Sequence, residues 1–238
     1  MRKFLIATAL IFIAFWALPG RAWTSGNELD IGGATSVIIT GQASMIHLTT
    51  SRDAPYKAVL KSQRKGWFAI WYSSWSPDSC QMPGAMKMVG AQLQIDTGSS
   101  SWSWFDDSDC RIDITANLPA GSAVSIDQKA TMSRLEGDFS SVQVKSHAGD
   151  IALEGHARDV DIQGNAIQAR LDFDRVDRDE TIRIDGNALK AVVRFEVSTP
   201  VSYTVTGNAA LVDSALTNTP GAKPAVTISG NFVHATIR

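Results

Sequence analysis

The chain has 238 residues, of which 44% are hydrophobic and 19% charged, with 22 basic and 24 acidic side chains and a formal net charge of −2. That supplies one sizeable core, and charges of both signs interspersed along the chain exclude a basic patch for nucleic acid or anionic lipid. Two cysteines without a Cys-x-x-Cys spacing count against redox catalysis.

Residues 1–22 read as a signal peptide. Arg2 and Lys3 precede 15 uncharged residues, Phe4 to Leu18, and small residues at Gly20 and Ala22 suit a signal peptidase, with cleavage expected after Ala22. A retained anchor is the alternative, although the apolar run is short against the ~20 residues of a membrane span. No later segment is long and apolar enough to span a membrane. Removal of Arg2, Lys3 and Arg21 takes the formal charge to −5. Export places the protein in the periplasm, at the cell surface or in the medium, where Cys80 and Cys110 are expected to form one disulfide.

Residues 23–238 read as a single domain, with N-terminal coils over 29–121 and regular repeats over 122–238. Ser36–Gly41 and Met45–Thr49 alternate like strands, and Val37-x-Ile39-x-Gly41 has the form of the coil openings that come later. Tyr56–Lys61 and Gln92–Asp96 are further short strands. Between and beside them lies a Trp-rich insertion, 62–110, in which Gly66–Trp75 and Ser101–Phe105 hold five of the seven tryptophans. In the first run Trp67, Ala69 and Trp71 share one strand face, and Phe68, Ile70 and Tyr72 share the other. Such a hairpin, closed by the disulfide, would cover the open first coil. Alternatively Trp75, Trp102 and Trp104 form a surface that stacks on sugar rings or on a partner protein. Asp106, Asp107 and Asp109 lack the spacing of a calcium loop and read as an exposed turn.

From Ser122 onward the chain is periodic. Val124, Val142 and Val160 open similar segments 18 residues apart. Val160–Leu171 then recurs as Ile182–Val193 and Val226–Ile237, with a looser copy from Tyr203, and the Gly-Asn pairs begin at 164, 186, 207 and 230. Strand alternation at this period marks a solenoid that stacks one coil per repeat. In that register Val160, Ile162, Ile167, Ala169 and Leu171 point inward. The Tyr203 copy is expected to supply the rung between those of Ile182 and Val226. Glycine at each corner suits a left-handed backbone, and Asn165, Asn187, Asn208 and Asn231 stand where an internal amide ladder is possible. The two-signed run Asp172–Glu180 reads as a solvated loop.

The Leu118-Pro-Ala-Gly-Ser122 step into repeats such as Val142–Gly155 resembles the bacterial putative-adhesin family, exported β-strand-repeat proteins built on a domain of unknown function and related to autotransporter adhesin heads. The resemblance covers residues 30–238. It implies an all-β fold, a single-stranded right-handed parallel β-helix (β-solenoid) in the bacterial envelope, with no established catalytic residue to carry over. The Trp-rich insertion departs from the plain pattern.

Catalytic motifs are absent from the sequence: there is no Gly-x-Ser-x-Gly elbow, phosphate loop or His-Glu-x-x-His. His47, His147, His156 and His234 are scattered, which gives no metal site and no cofactor. The expectation is a non-catalytic envelope protein, structural or adhesin-like, with an unidentified protein or glycan of the envelope as partner and no nucleic acid; its oligomeric state is open. The alternative is a carbohydrate-active enzyme, a polysaccharide lyase or hydrolase, acting through Arg170, Asp172, Lys190 and Arg194 on the outer face of adjacent coils.

Overall fold

Residue alternation in this chain produces one continuous β structure. The computed structural model describes residues 28–64, 84–98, 110–196 and 199–238. Among these residues every regular element is a strand, and all ten strands join one sheet. The N-terminal part comprises β1 (Glu28–Asp30), β2 (Ser36–Thr49), β3 (Lys57–Arg64), β4 (Ala85–Val89), β5 (Gln92–Asp96) and β6 (Cys110–Asn117). Next comes β7 (Ser122–Phe173), 52 residues without a break, then β8 (Thr181–Phe195), β9 (Ser202–Ser214) and β10 (Ala225–Ile237).

The long strands pair in parallel and in the register that the repeats predict. Val37 faces Val124, Val160 faces Ile182, Ile182 faces Val226, and Val226 faces Tyr203. Successive rungs therefore lie about 4.8 Å apart. Within β7 the steps are 18 residues: a methyl on Gly155 would strike Gly137, and one on Gly149 would approach Thr131. Inward columns such as Leu48, Leu135, Leu153, Leu171, Val193 and Ile237 are all at most 1% exposed. Side chains of one column touch along the stack, so every inner rung buries its apolar face against two neighbours.

The rung order is not the chain order. Tyr203 does not form the rung between Ile182 and Val226, as the spacing predicts; β10 is inserted between β8 and β9, and β9 is outermost. The same exchange occurs at the other end. There β2 lies between the first pass of β7 and the pair β5–β6, with Ser36 facing Ala123 on one side and Gln92 on the other. Beyond that level the pairing becomes antiparallel: β4 runs along β5, β3 along β6, and β1 along β3. These strands cover the N-terminal end. The expected aromatic cap falls largely on residues 65–83 and 99–109, which lie outside the described residues, whereas β4 and β5, inside the span assigned to the insertion, are part of the sheet.

Glycine has a different task at the corners from the one expected. Gly164, Gly186, Gly207 and Gly230 are not among the glycines with positive φ. They are required because the rungs approach closely: a Cβ would sit 1.9 Å from the Ser146 carbonyl oxygen at Gly164 and 2.0 Å from that of Gly186 at Gly230. Glycines with positive φ are elsewhere, among them Gly41 in the first coil and Gly137 and Gly155 in a second corner that stacks on Thr50.

Candidate functional site

Beside the Gly-Asn corner the sequence places a small residue in rung after rung, and the surface is hollow there. Ala43, Ala130, Ala148, Ala166 and Ala188 follow one another up the stack. Met45, Met132, Asp150, Gln168 and Lys190 form a taller wall two residues further on, and Arg111 with Ile112 closes the N-terminal end. The result is a lateral cleft of about 850 Å³. Five rungs set its length at about 19 Å. Its floor is rigid, because the backbone amides of each rung are paired with the rungs above and below. Met132 is 51% exposed, a large apolar side chain held at the rim. Arg111 is engaged by Asp113 at 2.7 Å and Gln168 reaches Asp150 at 3.5 Å, so the polar groups of the rim are partly satisfied among themselves. Thr131 lines the cleft only 6% exposed, and its Oγ1 has no hydrogen-bond partner.

The asparagines run up the corner next to the alanines. Asn208 donates through Nδ2 to Asn231 Oδ1 (2.8 Å), Asn231 donates to Asn187 (2.8 Å), and Asn187 donates to Asn165 (3.2 Å). The expected ladder is present, in the exchanged rung order. It lies on the exposed surface, not inside, because each asparagine falls at an outward position of the corner.

Arg170, Asp172, Lys190 and Arg194 share the outer face, and two of the four meet. Asp172 Oδ1 forms an ion pair with Arg194 Nη1 at 3.0 Å across adjacent rungs, whereas Arg170 faces Val192 and Lys190 faces Gln168 in the register. Glycoside hydrolysis commonly uses two carboxylates about 5–10 Å apart. This set holds one, tied up by a guanidinium.

A buried polar cluster, not foreseen from the sequence, joins the loop after β7 to the stack. Glu180 is 0% exposed and His156 is 5% exposed, although the run Asp172–Glu180 reads as solvated. Glu180 stands two residues before Ile182, on its inward phase, which is the signal the run contained. Its Oε1 accepts from the Asp177 backbone N–H and lies 3.3 Å from His156 Nε2. Arg175 donates to His156 Nδ1 at 3.1 Å, and to Asp138 at 2.9 Å. A guanidinium only donates, so Nδ1 accepts and the ring proton is on Nε2, toward Glu180. Burial opposes the charge of Arg175, but Asp138 and Asp177 outweigh it and hold its pKa above the ordinary value. Both ring nitrogens are used, which leaves none facing solvent for a substrate. The cluster is a structural latch. No three His, Cys, Asp or Glu side chains among the described residues are placed to share a metal ion.

Trp75, Trp102 and Trp104 lie outside the described residues, as do Cys80, the side chain of Cys110 and residues 1–22. No helix among the described residues is long and apolar enough to cross a membrane.

No family model matches the chain, and no curated protein does. Solved structures to which the chain is similar include two. One is a putative cell adhesion protein from Clostridium sporogenes ATCC 15579, 12% identical, with 87% of this chain and 93% of that one covered and a TM-score of 0.49. The other is a putative adhesin from Bacteroides fragilis NCTC 9343, 11% identical, with 89% of this chain and 95% of that one covered and a TM-score of 0.47.

Proposed function

We propose that the chain is an exported, non-catalytic binding protein of the cell envelope, adhesin-like, built as a right-handed parallel β-helix that engages a protein or glycan surface through its lateral cleft. The cleft itself carries this reading: five paired rungs present a recessed alanine floor and an exposed methionine rim on a backbone that cannot relax away from a partner. A rigid apolar hollow with a polar border favours recognition, since little ordering is left to be done on binding. In this reading residues 1–22 are removed, residues 23–238 act as one unit, and Cys80 is bonded to Cys110. N-terminal sequencing should start at Trp23, and non-reducing mass mapping should recover the linked cysteine peptides.

Binding is tested on an array of glycans and envelope components. Ala148→Trp fills the middle of the cleft and should lower affinity for the captured component at least tenfold, while the unfolding free energy moves by about 0.5 kcal/mol or less, because position 148 is exposed. Trp75, Trp102 and Trp104 are the second candidate face. If Trp102/Trp104→Ala abolishes binding and Ala148→Trp leaves it intact, the cleft is not the site.

A further inference from the structure

We infer that the open edge of β9 is a docking surface for a second copy of this chain, paired antiparallel about a two-fold axis between Asn208 and Ala209. β9 ends the stack: β10 pairs one of its edges and no described strand pairs the other. Exposed strand edges are normally blunted by lysine, proline, a bulge or a cover. β9 holds no basic residue and no proline, and its single charge, Asp213, lies 3.9 Å from Arg238 of the same chain. Val212, 42% exposed, ends an inward column, and Leu211, 62% exposed, stands in the outward column above His234. At the start of the strand the edge is plugged from within. Asn218 accepts from the Tyr203 N–H (3.0 Å) and donates to the Tyr203 carbonyl (2.9 Å), standing in for a neighbouring strand. From Thr204 onward nothing described takes that place.

The occupant follows from symmetry. β9 has 13 residues, and its inward phase shifts at the Gly207-Asn208 corner, from Tyr203 and Val205 before it to Ala210, Val212 and Ser214 after it. A two-fold axis through that corner exchanges the two arms, so each arm of one copy lies along the other arm of its partner. Val205 then faces Val212, Thr206 faces Leu211, Gly207 faces Ala210 and Asn208 faces Ala209, so inward meets inward, outward meets outward, and no like charges oppose. Asn208 Nδ2 already donates to Asn231, and its Oδ1 takes no bond from a described residue, so the ladder has one acceptor left at its end. The two-fold axis uses the β9 edge of both copies at once, so pairing through it stops at a dimer and does not propagate to a fibre.

Sedimentation velocity on the purified chain over a range of concentrations reads the association. The expected result is a concentration-dependent doubling of mass, with Leu211→Lys raising the midpoint concentration at least tenfold at an unchanged melting temperature, since Leu211 is already mostly exposed. Under mild oxidation a mixture of Asn208→Cys and Ala209→Cys chains should yield a peptide linked 208 to 209. Thr204→Cys, which faces Asp213, should not link to Ala209→Cys. A chain that stays monomeric throughout overturns the inference; so does a dimer indifferent to Leu211→Lys, and so does a 204–209 link as abundant as the 208–209 link.

Discussion

A single methyl tests how closely the rungs approach. At Gly164 a Cβ would meet the Ser146 carbonyl oxygen at 1.9 Å, and that oxygen belongs to a paired backbone that cannot step aside. Gly164→Ala should cost about 1–3 kcal/mol, the range for overpacking. Gly33, with nothing within 4 Å of its Cβ, should tolerate alanine within about 0.5 kcal/mol. Urea midpoints of the two variants decide between crowding and a general intolerance of substitution. The asparagine ladder gives a graded test: Asn187 makes two links and Asn208 one. With roughly 0.5–1.5 kcal/mol per hydrogen bond, Asn187→Ala should cost about twice Asn208→Ala. Equal costs would mean that the amides interact with water rather than with one another. At this scale the sequence was half legible. The recurring Gly-Asn pair announced a corner and a ladder, but the same two letters suit a left-handed turn and a crowded extended one. Only the position of Ser146 distinguishes the two.

Elements hold together through their ends as well as their columns. β7 and β8 finish side by side at Phe173 and Phe195, whose rings stack with centroids 5.3 Å apart, and the loop between these strands is fastened by the Glu180 latch. Glu180→Ala removes the carboxylate 3.3 Å from the buried His156 Nε2 and releases the Asp177 N–H, and should cost about 1–3 kcal/mol. Glu154→Ala, an exposed carboxylate on β7, should cost less than about 0.5 kcal/mol. Denaturation of the pair is the measurement; a Glu180→Ala chain as stable as Glu154→Ala would remove the latch. The strand pattern itself was plain in the sequence, because period-two alternation puts Val160, Ile162, Ile167, Ala169 and Leu171 on one face and all five are buried. The latch was not plain. Composition makes Asp172–Glu180 look solvated, and the phase that carries Glu180 inward with Ile182 and Ile184 is hidden in a charged run.

At the scale of the whole molecule, repeats specify register but say little about order, because any two copies in one register can pair. What separates β9 from β10 is the quality of their inward faces. β10 offers Val226, Ile228, Val233, Ala235 and Ile237 to β8; at the matching positions β9 has Tyr203, Val205, Ala210, Val212 and Ser214. Setting Ser214 against Val193 in place of Ile237 would put a hydroxyl into an apolar column and leave a void beside it. The poorer copy therefore belongs at the end of the stack, where no further rung demands a core, and its looseness in the sequence was a readable sign of that place. A truncation tests the order directly. Ending the chain at Ser214 removes β10 and with it the only described ladder partner of β9. Amides of residues 202–214 should then exchange as fast as those of an unfolded segment, while the pass at residues 159–173 keeps its protection, since local opening follows local contacts. In a stack ordered by sequence, β9 would already sit on β8 and keep its protection as a new edge. Slow exchange at 202–214 in the truncated chain would show that the two copies are interchangeable on β8 and that their inward faces do not set the order.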